Sequence, residues 1–526
     1  DTPETATTVD ISTFIEGGVN LRIKGRNTVF SISVLLTGAF IILGIFFTDG
    51  LASIVEPIFK GIIDYFGWVY LSAALLFVGF SIYLIFSKYG HIRLGKNTDK
   101  PEFKTISWLA MLFGAGTGVG IVFWGVAEPV THYVNPPSGE GYTEEAANLA
   151  MQFTFFHWGI HPWAIYTVIG LALAFFQFNK KLPASVSSAF YPLLKDKIYG
   201  PIGKTIDILA VFATVFGIAT SLGLGAMQIS AGVTHFFDIS NSVTLQLIVL
   251  FSATILFLIS ISTGLKRGIQ YLSNTVMVLS VLMLTLVLVM GSTSEIFRVL
   301  FNTVGIYMGN FVEMSLNLTP FGDYSWTGGW TIYYWAWWIA WAPFVGMFIA
   351  RISKGRTIRE FVLGVLLVPS LGTFIWLSVL GGQALHIIHN LGNSELAERI
   401  TANVDLSLFT FLDVLPASSL LNIVGFAIII IYYITVADTS TYVLGMLSEE
   451  GNLNPSLKIK ITWGVIQSLV AAVLLMAGGL QVLQTASIIA AFPFTIIMII
   501  MCWSLFKGFN EEEKEEKTVI RMEKSS

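Results

Sequence analysis

Apolar runs of about 20 residues, the length a helix needs to cross the hydrocarbon core of a bilayer, recur from one end of the chain to the other. Twelve can be marked, at approximately 28–48, 67–87, 105–131, 148–177, 205–235, 243–262, 271–291, 327–350, 360–385, 419–447, 461–478 and 481–506. The pattern predicts an all-α polytopic membrane protein with 12 transmembrane helices. Two connections, 295–318 and 393–412, are too long and too patterned for simple loops and are expected to form amphipathic helices on the outer face.

Charge then orients the spans. With the N-terminus inside, the inner segments hold all but Lys60, Arg298 and Arg399 of the 29 Lys and Arg residues, so the positive-inside rule predicts that both termini are cytoplasmic. The chain divides into a cytoplasmic segment 1–27, one transmembrane domain 28–506 and a charged cytoplasmic tail 507–526 whose mixed sequence, GFNEEEKEEKTVIRMEKSS, is expected to be solvated. No cleavable signal pattern precedes the first span, which is expected to direct insertion itself. Residue 1 is Asp, so the natural start is expected to lie upstream.

Composition agrees: 54% of residues are hydrophobic and 12% charged, whereas a soluble domain has roughly 25% charged residues. The net charge of -4 gives no reason to expect a nucleic-acid partner. Cys502 is the only cysteine, so no disulfide forms within the chain and a packing role is expected.

Two spans carry interruptions. The third contains GAGTGVG at 114–120, whose glycines cover more than one helix face, which suits an unwound segment lining a polar cavity. A tight interface between helices is the competing reading. The eighth contains Pro343, which removes a backbone donor and is expected to bend the helix. These spans lie five apart, and a unit of five spans crosses the membrane an odd number of times, so a second copy must be inverted. The division is two extra spans at 28–104, repeat one at 105–291 (spans 3–7), an outer amphipathic region at 292–326 and repeat two at 327–506 (spans 8–12), an arrangement known in secondary transporters.

Candidate chemistry is aromatic. The eighth span reads WAWWIAWAPF from Trp335, placing Trp335 and Trp338 on one helix face and Trp337, Trp341 and Phe344 on another. The fourth span reads HWGIHPWAIY, with Trp158, Trp163 and Tyr166. Interfacial tryptophans sit at span ends, but these reach inward, and two such clusters could form a cation-π cage for a quaternary ammonium group, which has no N–H to donate. Intramembrane charges are few; Glu128 and Asp438 are the clearest, each expected to serve in gating or pairing, Asp438 with a Lys or Arg near the inner face. The pairs His157/His161 and His386/His389 have metal-compatible spacing but no third ligand in register. No cluster of His, Asp or Glu for enzyme chemistry is legible, and a channel would require a polar pore-lining stripe.

With these motifs, together with FWGVAEP at 123–129, ATVFGIATSLGLGAMQI in the fifth span and WAWWIAWAPFVGMFIARIS in the eighth, nearly the whole chain resembles the betaine/carnitine/choline transporter family, of the leucine-transporter type of fold. The resemblance implies secondary uptake of a compatible solute, often as a homotrimer in the cell inner membrane, and no enzyme activity or cofactor. It places an aromatic box at Trp158, Trp163, Tyr166 and Trp338, with Trp337 beside the substrate and Trp341 and Phe344 lining the path inward. The backbone of Gly116, Gly118 and Gly120 would face the substrate's carboxylate. Choline carriers of the family tend to have Asp at the last of these, so Gly120 favours a zwitterion.

Coupling to sodium is implied through Gly114 and Thr117 with two hydroxyl residues of the tenth span, and through two fifth-span threonines near Phe344. Here one partner of each pair is apolar: Thr435 is followed by Val436, and Thr214 has Ile218 one turn on. Val and Ile offer no oxygen ligand; Thr117, Thr435, Thr439 and Ser440 are the residues that would compensate. Glycine betaine with sodium symport is therefore expected, against ectoine, carnitine, proline or choline as cargo and proton coupling or exchange as the drive. The short tail of mixed charge argues against strong osmotic activation.

Overall fold

The computed structural model describes residues 28–116, 118–263, 266–322 and 324–525; the segment 1–27 and Thr117 lie outside them. Among the described residues the chain is helical, with no strand beyond one isolated bridge between Arg93 and Thr357. The helices are α1 (Thr28–Phe46), α2 (Thr48–Phe86), α3 (Thr105–Gly116), α4 (Val119–Val134), α5 (Glu144–Trp158), α6 (Ile160–Phe178), α7 (Pro201–Phe237), α8 (Val243–Thr263) and α9 (Lys266–Met290). There follow α10 (Thr293–Gly309), α11 (Tyr333–Ile352), α12 (Ile358–Leu377), α13 (Ser394–Ala402), α14 (Ser407–Asp413), α15 (Ser418–Ser448), α16 (Leu457–Gly478) and α17 (Leu480–Ser525), besides shorter turns.

Eleven helical segments among the described residues are long and apolar enough to cross a membrane. The expected span missing from that set is the third, because the 105–131 run is not one helix: α3 ends at Gly116 and α4 starts after Gly118, which is extended at φ -153°. The unwinding expected of the glycine run is thus present. The fourth expected span is also divided, at Gly159 (φ -95°, ψ -130°), between α5 and α6. Pro162 explains this second break. Lacking an N–H, it cannot bond the carbonyl of Trp158 four residues back, and that carbonyl instead accepts from the Thr373 hydroxyl at 3.0 Å. Pro343, expected to interrupt the eighth span, sits inside a continuous α11; a π-helical turn at Gly328–Ile332 precedes it.

The α5–α6 pair and α11 lie at the centre, buried almost all round and packed on each other, whereas α1, α8 and α9 expose most of their apolar surface, as helices facing lipid do. The expected amphipathic helices are found as α10 with Phe311–Leu316, and as α13 and α14.

The tail is docked in part and solvated in part, with Lys514, Glu515, Lys517 and Thr518 exposed. It continues α17 as helix to Ser525, and Phe509 is fully buried against Phe175 at 4.8 Å and Tyr89 at 5.9 Å. Glu513 pairs with Lys88 at 2.5 Å and Glu512 with Lys180 at 2.6 Å. Mixed charge in sequence reads as a solvated face, but here acidic residues meet lysines from the segments that follow α2 and α6.

Candidate substrate cage

The break at Gly159 sets the site. It places Trp158 on the last turn of α5, and Trp163 and Tyr166 on the first turns of α6, so three aromatic residues close in sequence approach α11 from two directions. Trp338 of α11 meets Trp158 edge-on at 4.9 Å and 75°, and Tyr166 at 6.2 Å and 81°; Tyr166 meets Trp163 at 5.5 Å and 78°. Each of these contacts sets the edge of one ring against the face of another, the arrangement aromatic pairs prefer; a cationic guest would take up such a face in place of a ring edge. Trp337 stacks on Trp338 at 4.9 Å and 16°. One turn further along, Trp341 meets Phe344 at 5.0 Å and anchors its indole N–H on the Gly217 carbonyl at 2.8 Å. The four expected cage residues therefore come together.

Glu128 binds the cage from behind. It is fully buried on α4, and its carboxylate accepts from four donors: Trp158 Nε1 at 2.7 Å, His157 Nδ1 at 2.7 Å, His132 Nε2 at 3.3 Å and the hydroxyl of Tyr334. The Trp338 indole N–H donates to the His157 carbonyl at 2.9 Å, and His157 Nε2 meets Thr331 Oγ1 at 2.9 Å. Both principal tryptophans of the cage thus end on the Glu128–His157 unit. The partners of Glu128 are thus aromatic and imidazole groups.

The fold groups the histidines differently from their spacing in sequence. Glu128, His132 and His157 do cluster, with ligand atoms within 4.8 Å of one another, although neither histidine pair has a third ligand in register by sequence. The i, i+4 relation of Glu128 and His132 was readable; His157 joins them only through tertiary packing. The three groups are spaced to share an ion, but two donors on each oxygen already satisfy the carboxylate. His161 does not join, because the break at Gly159 interrupts the helical spacing. It bonds Ser315 Oγ at 2.9 Å and stacks on Trp335 and Phe311 at 5.1 and 4.7 Å. His389 bonds Tyr133 at 2.9 Å.

The glycines divide. A Cβ on Gly120 would lie 2.5 Å from Trp337 Cη2 and 3.3 Å from Trp158 Cη2, so this residue is wedged between cage rings and its small size is a packing requirement. A Cβ on Gly118 would lie 3.8 Å from Val436 Cγ2 of α15 and one on Gly114 3.6 Å from Met277 Cε of α9; Gly116 ends α3. The break between α3 and α4 therefore abuts α15 where a hydroxyl was expected and valine stands. Among the expected sodium ligands, Thr214, Thr435 and Thr439 each donate to the carbonyl four residues back at 2.7 Å, which leaves their oxygen lone pairs free to accept. Ile218 is fully buried. Asp438 does not make the expected ion pair: among the described residues it has no salt bridge, and its Oδ1 is buried without a hydrogen-bond partner.

The apolar helices are those of a multi-pass membrane protein, and the family match below makes it a transporter of small molecules and not an enzyme. Residues 28–514 match the profile described as the betaine/carnitine/choline family transporter, and the chain belongs to that family. It is 46% identical to the glycine betaine transporter OpuD of Bacillus subtilis, over 95% of this chain and 98% of the relative. It is 42% identical to an ectoine/hydroxyectoine transporter of Virgibacillus pantothenticus over 93% of this chain and 98% of the relative. With a glycine betaine/proline/choline/ectoine transporter of Vibrio parahaemolyticus it shares 39% identity over 93% of this chain and 88% of the relative.

Proposed function

We propose that the protein is a secondary transporter that imports glycine betaine by sodium-coupled symport, for osmoprotection. The observation that supports the cargo assignment is the packing of Trp158 and Tyr166, each at right angles, against Trp338, aromatic surface of the kind a trimethylammonium head takes. Twelve spans are counted by joining α3 and α4 across their break, and the inverted repeats would rock around the cage in alternating access. The lysine-rich end, which holds Lys88, Lys180 and Lys195, is assigned to the cytoplasm by the positive-inside rule, in a plasma membrane where the chain acts as a homotrimer.

Sodium would be held by oxygens near Gly114 and Thr117 with Thr435 and Thr439, and by Thr214 near Phe344; support for this reading is the free lone pairs of Thr214, Thr435 and Thr439. The break between α3 and α4 would face the substrate's carboxylate, and the Trp337 ring filling the space beside Gly120 favours a zwitterion, since no Asp fits there unless that ring moves.

Ectoine is the second reading, because its amidinium cation also stacks on ring faces and a relative at 42% identity is an ectoine/hydroxyectoine transporter. Uptake of labelled glycine betaine into proteoliposomes, with and without an inward sodium gradient and against ectoine, choline, carnitine and proline as competitors, tests the assignment. Uptake independent of sodium would overturn the coupling and leave the cargo standing; preferential displacement by ectoine would replace the cargo.

A further inference from the structure

Glu128 is a fully buried carboxylate in a membrane domain, and no lysine or arginine stands against it: among the described residues its only ion partners are His132 and His157. The four groups around it fill its lone pairs as donors, which makes it an acceptor only and hence ionised. A charge at this depth is costly unless another balances it. The balance must come from a proton on one of the imidazoles or from a cation held nearby.

Hydrogen bonds decide which imidazole can take the proton. Facing an ionised carboxylate, the near ring nitrogen of each histidine is an N–H, so the far nitrogen is the one that gains or loses. On His132 the far nitrogen, Nδ1, is buried without a partner, and a proton there would be a charged N–H left unsatisfied. On His157 it is Nε2, 2.9 Å from Thr331 Oγ1. A hydroxyl both donates and accepts, so Thr331 gives its hydrogen to bare Nε2 and takes one from protonated Nε2 by turning its O–H alone. His157 can therefore change charge with every bond kept.

The other titratable groups around the pair are engaged elsewhere or neutral. Tyr334 of α11 donates to Glu128 itself, and the hydroxyl of Tyr333 is buried beside it without a partner. His161 of α6 bonds Ser315, and Tyr307 of α10 accepts from the Ile160 N–H at 3.3 Å. Glu295 and Arg298 of α10 pair with each other, and α12 brings Thr373 and Phe374 to this place. A route for the proton is short: Trp326, half-buried, lies over His157 at 6.2 Å and donates its N–H to the exposed Asn135.

The same carboxylate is one indole away from the cage, since Trp158 donates its N–H to Glu128 and packs its ring against Trp338. We infer that Glu128 and His157 form a proton site linked to the cargo: the empty protein holds a proton on His157 Nε2, and a cation entering the cage takes over the balancing of Glu128 and sends that proton to solvent. This linkage rests on the reading of the cage as the seat of a cationic head. Proton and cargo then exclude each other, so acid weakens cargo binding, the opposite of what a proton symporter requires.

Calorimetric titration of the purified wild-type protein with glycine betaine, at fixed sodium and in buffers of different ionisation enthalpy, counts the protons released per cargo bound. Between about pH 5 and 8, where histidine changes charge and glycine betaine does not, release of a fraction of a proton is expected. The dissociation constant should rise roughly tenfold toward the acid end, an ordinary size for coupling between two sites. H157N, whose amide N–H can stand in for Nδ1–H toward Glu128, should release none and bind with little dependence on pH. T331V keeps the imidazole but removes the oxygen that accepts from protonated Nε2, and should move the pH profile toward acid. Binding by the wild-type protein with no proton released, with protons taken up, or with release undiminished in H157N would overturn the proton site and leave the cargo reading standing. A wild-type protein that binds none of glycine betaine, ectoine and choline would overturn the cargo reading and the linkage with it.

Discussion

The carboxylate of Glu128 and the indole of Trp158 are joined by a hydrogen bond of 2.7 Å between fully buried partners on α4 and α5. Through this bond a charge that never touches the cage interior fixes the orientation of one of its walls. E128Q keeps the shape but substitutes an amide whose N–H2 must face donors. Loss of a charge-assisted bond and the clash of donors are together worth about 2–3 kcal/mol. Uptake is expected to fall at least tenfold in E128Q, with a change in tryptophan fluorescence reporting the displaced indole; unaltered uptake would remove Glu128 from the site.

Trp338 is the ring shared by the contacts to Trp158 and Tyr166. W338L removes the aromatic face and should raise KM by roughly 2- to 30-fold, the range of one cation-π contact of about 0.5–2 kcal/mol. W338F should fall between leucine and wild type. A KM that ignores the ring, with only the maximal rate affected, would argue for a purely structural tryptophan.

Gly120 leaves no room for a side chain, since a Cβ would stand 2.5 Å from Trp337. G120A therefore forces the indole to shift, at about 1–3 kcal/mol for an overpacked core. Uptake of glycine betaine should drop, and a smaller ring in the double variant G120A/W337F should recover part of the lost thermal stability. Absence of recovery would place the strain elsewhere.

Docking of the C-terminal part of α17 is expected to depend on its apolar contacts more than on its charges. F509A empties a fully buried position and should cost about 3–5 kcal/mol. Neutralising Glu513 should shift the unfolding midpoint far less, because its partner Lys88 has a 55% exposed side chain and salt screens such pairs. Equal effects in thermal unfolding would reverse this ranking.

Much of this was legible in the sequence because it depends on local pattern. Spans follow from apolar length, the break between α3 and α4 from four glycines, and the cage residues from aromatic runs inside apolar ones. What escaped depends on contacts between distant segments. The break at Gly159 was available in principle from Pro162, but which side chain would take the carbonyl it frees, Thr373, is a tertiary matter. His157 and His161 looked like a pair because regular helical spacing was assumed across that break. Asp438 looked like half of an ion pair because buried charges usually have partners. The tail looked solvated because its acidic residues lie over 300 positions from the lysine Lys180 that they meet.

The freed Trp158 carbonyl has a further meaning. Thr373 holds one loose group at the Gly159 break and Trp338 holds the neighbouring one, on the His157 carbonyl, so the break is a joint fastened by side chains of two other helices. Trp158 lies on one limb of that joint, Trp163 and Tyr166 on the other. A guest gripped by all three spans the joint as a pin spans a hinge, and any change in the angle between the limbs must either tighten or loosen the grip.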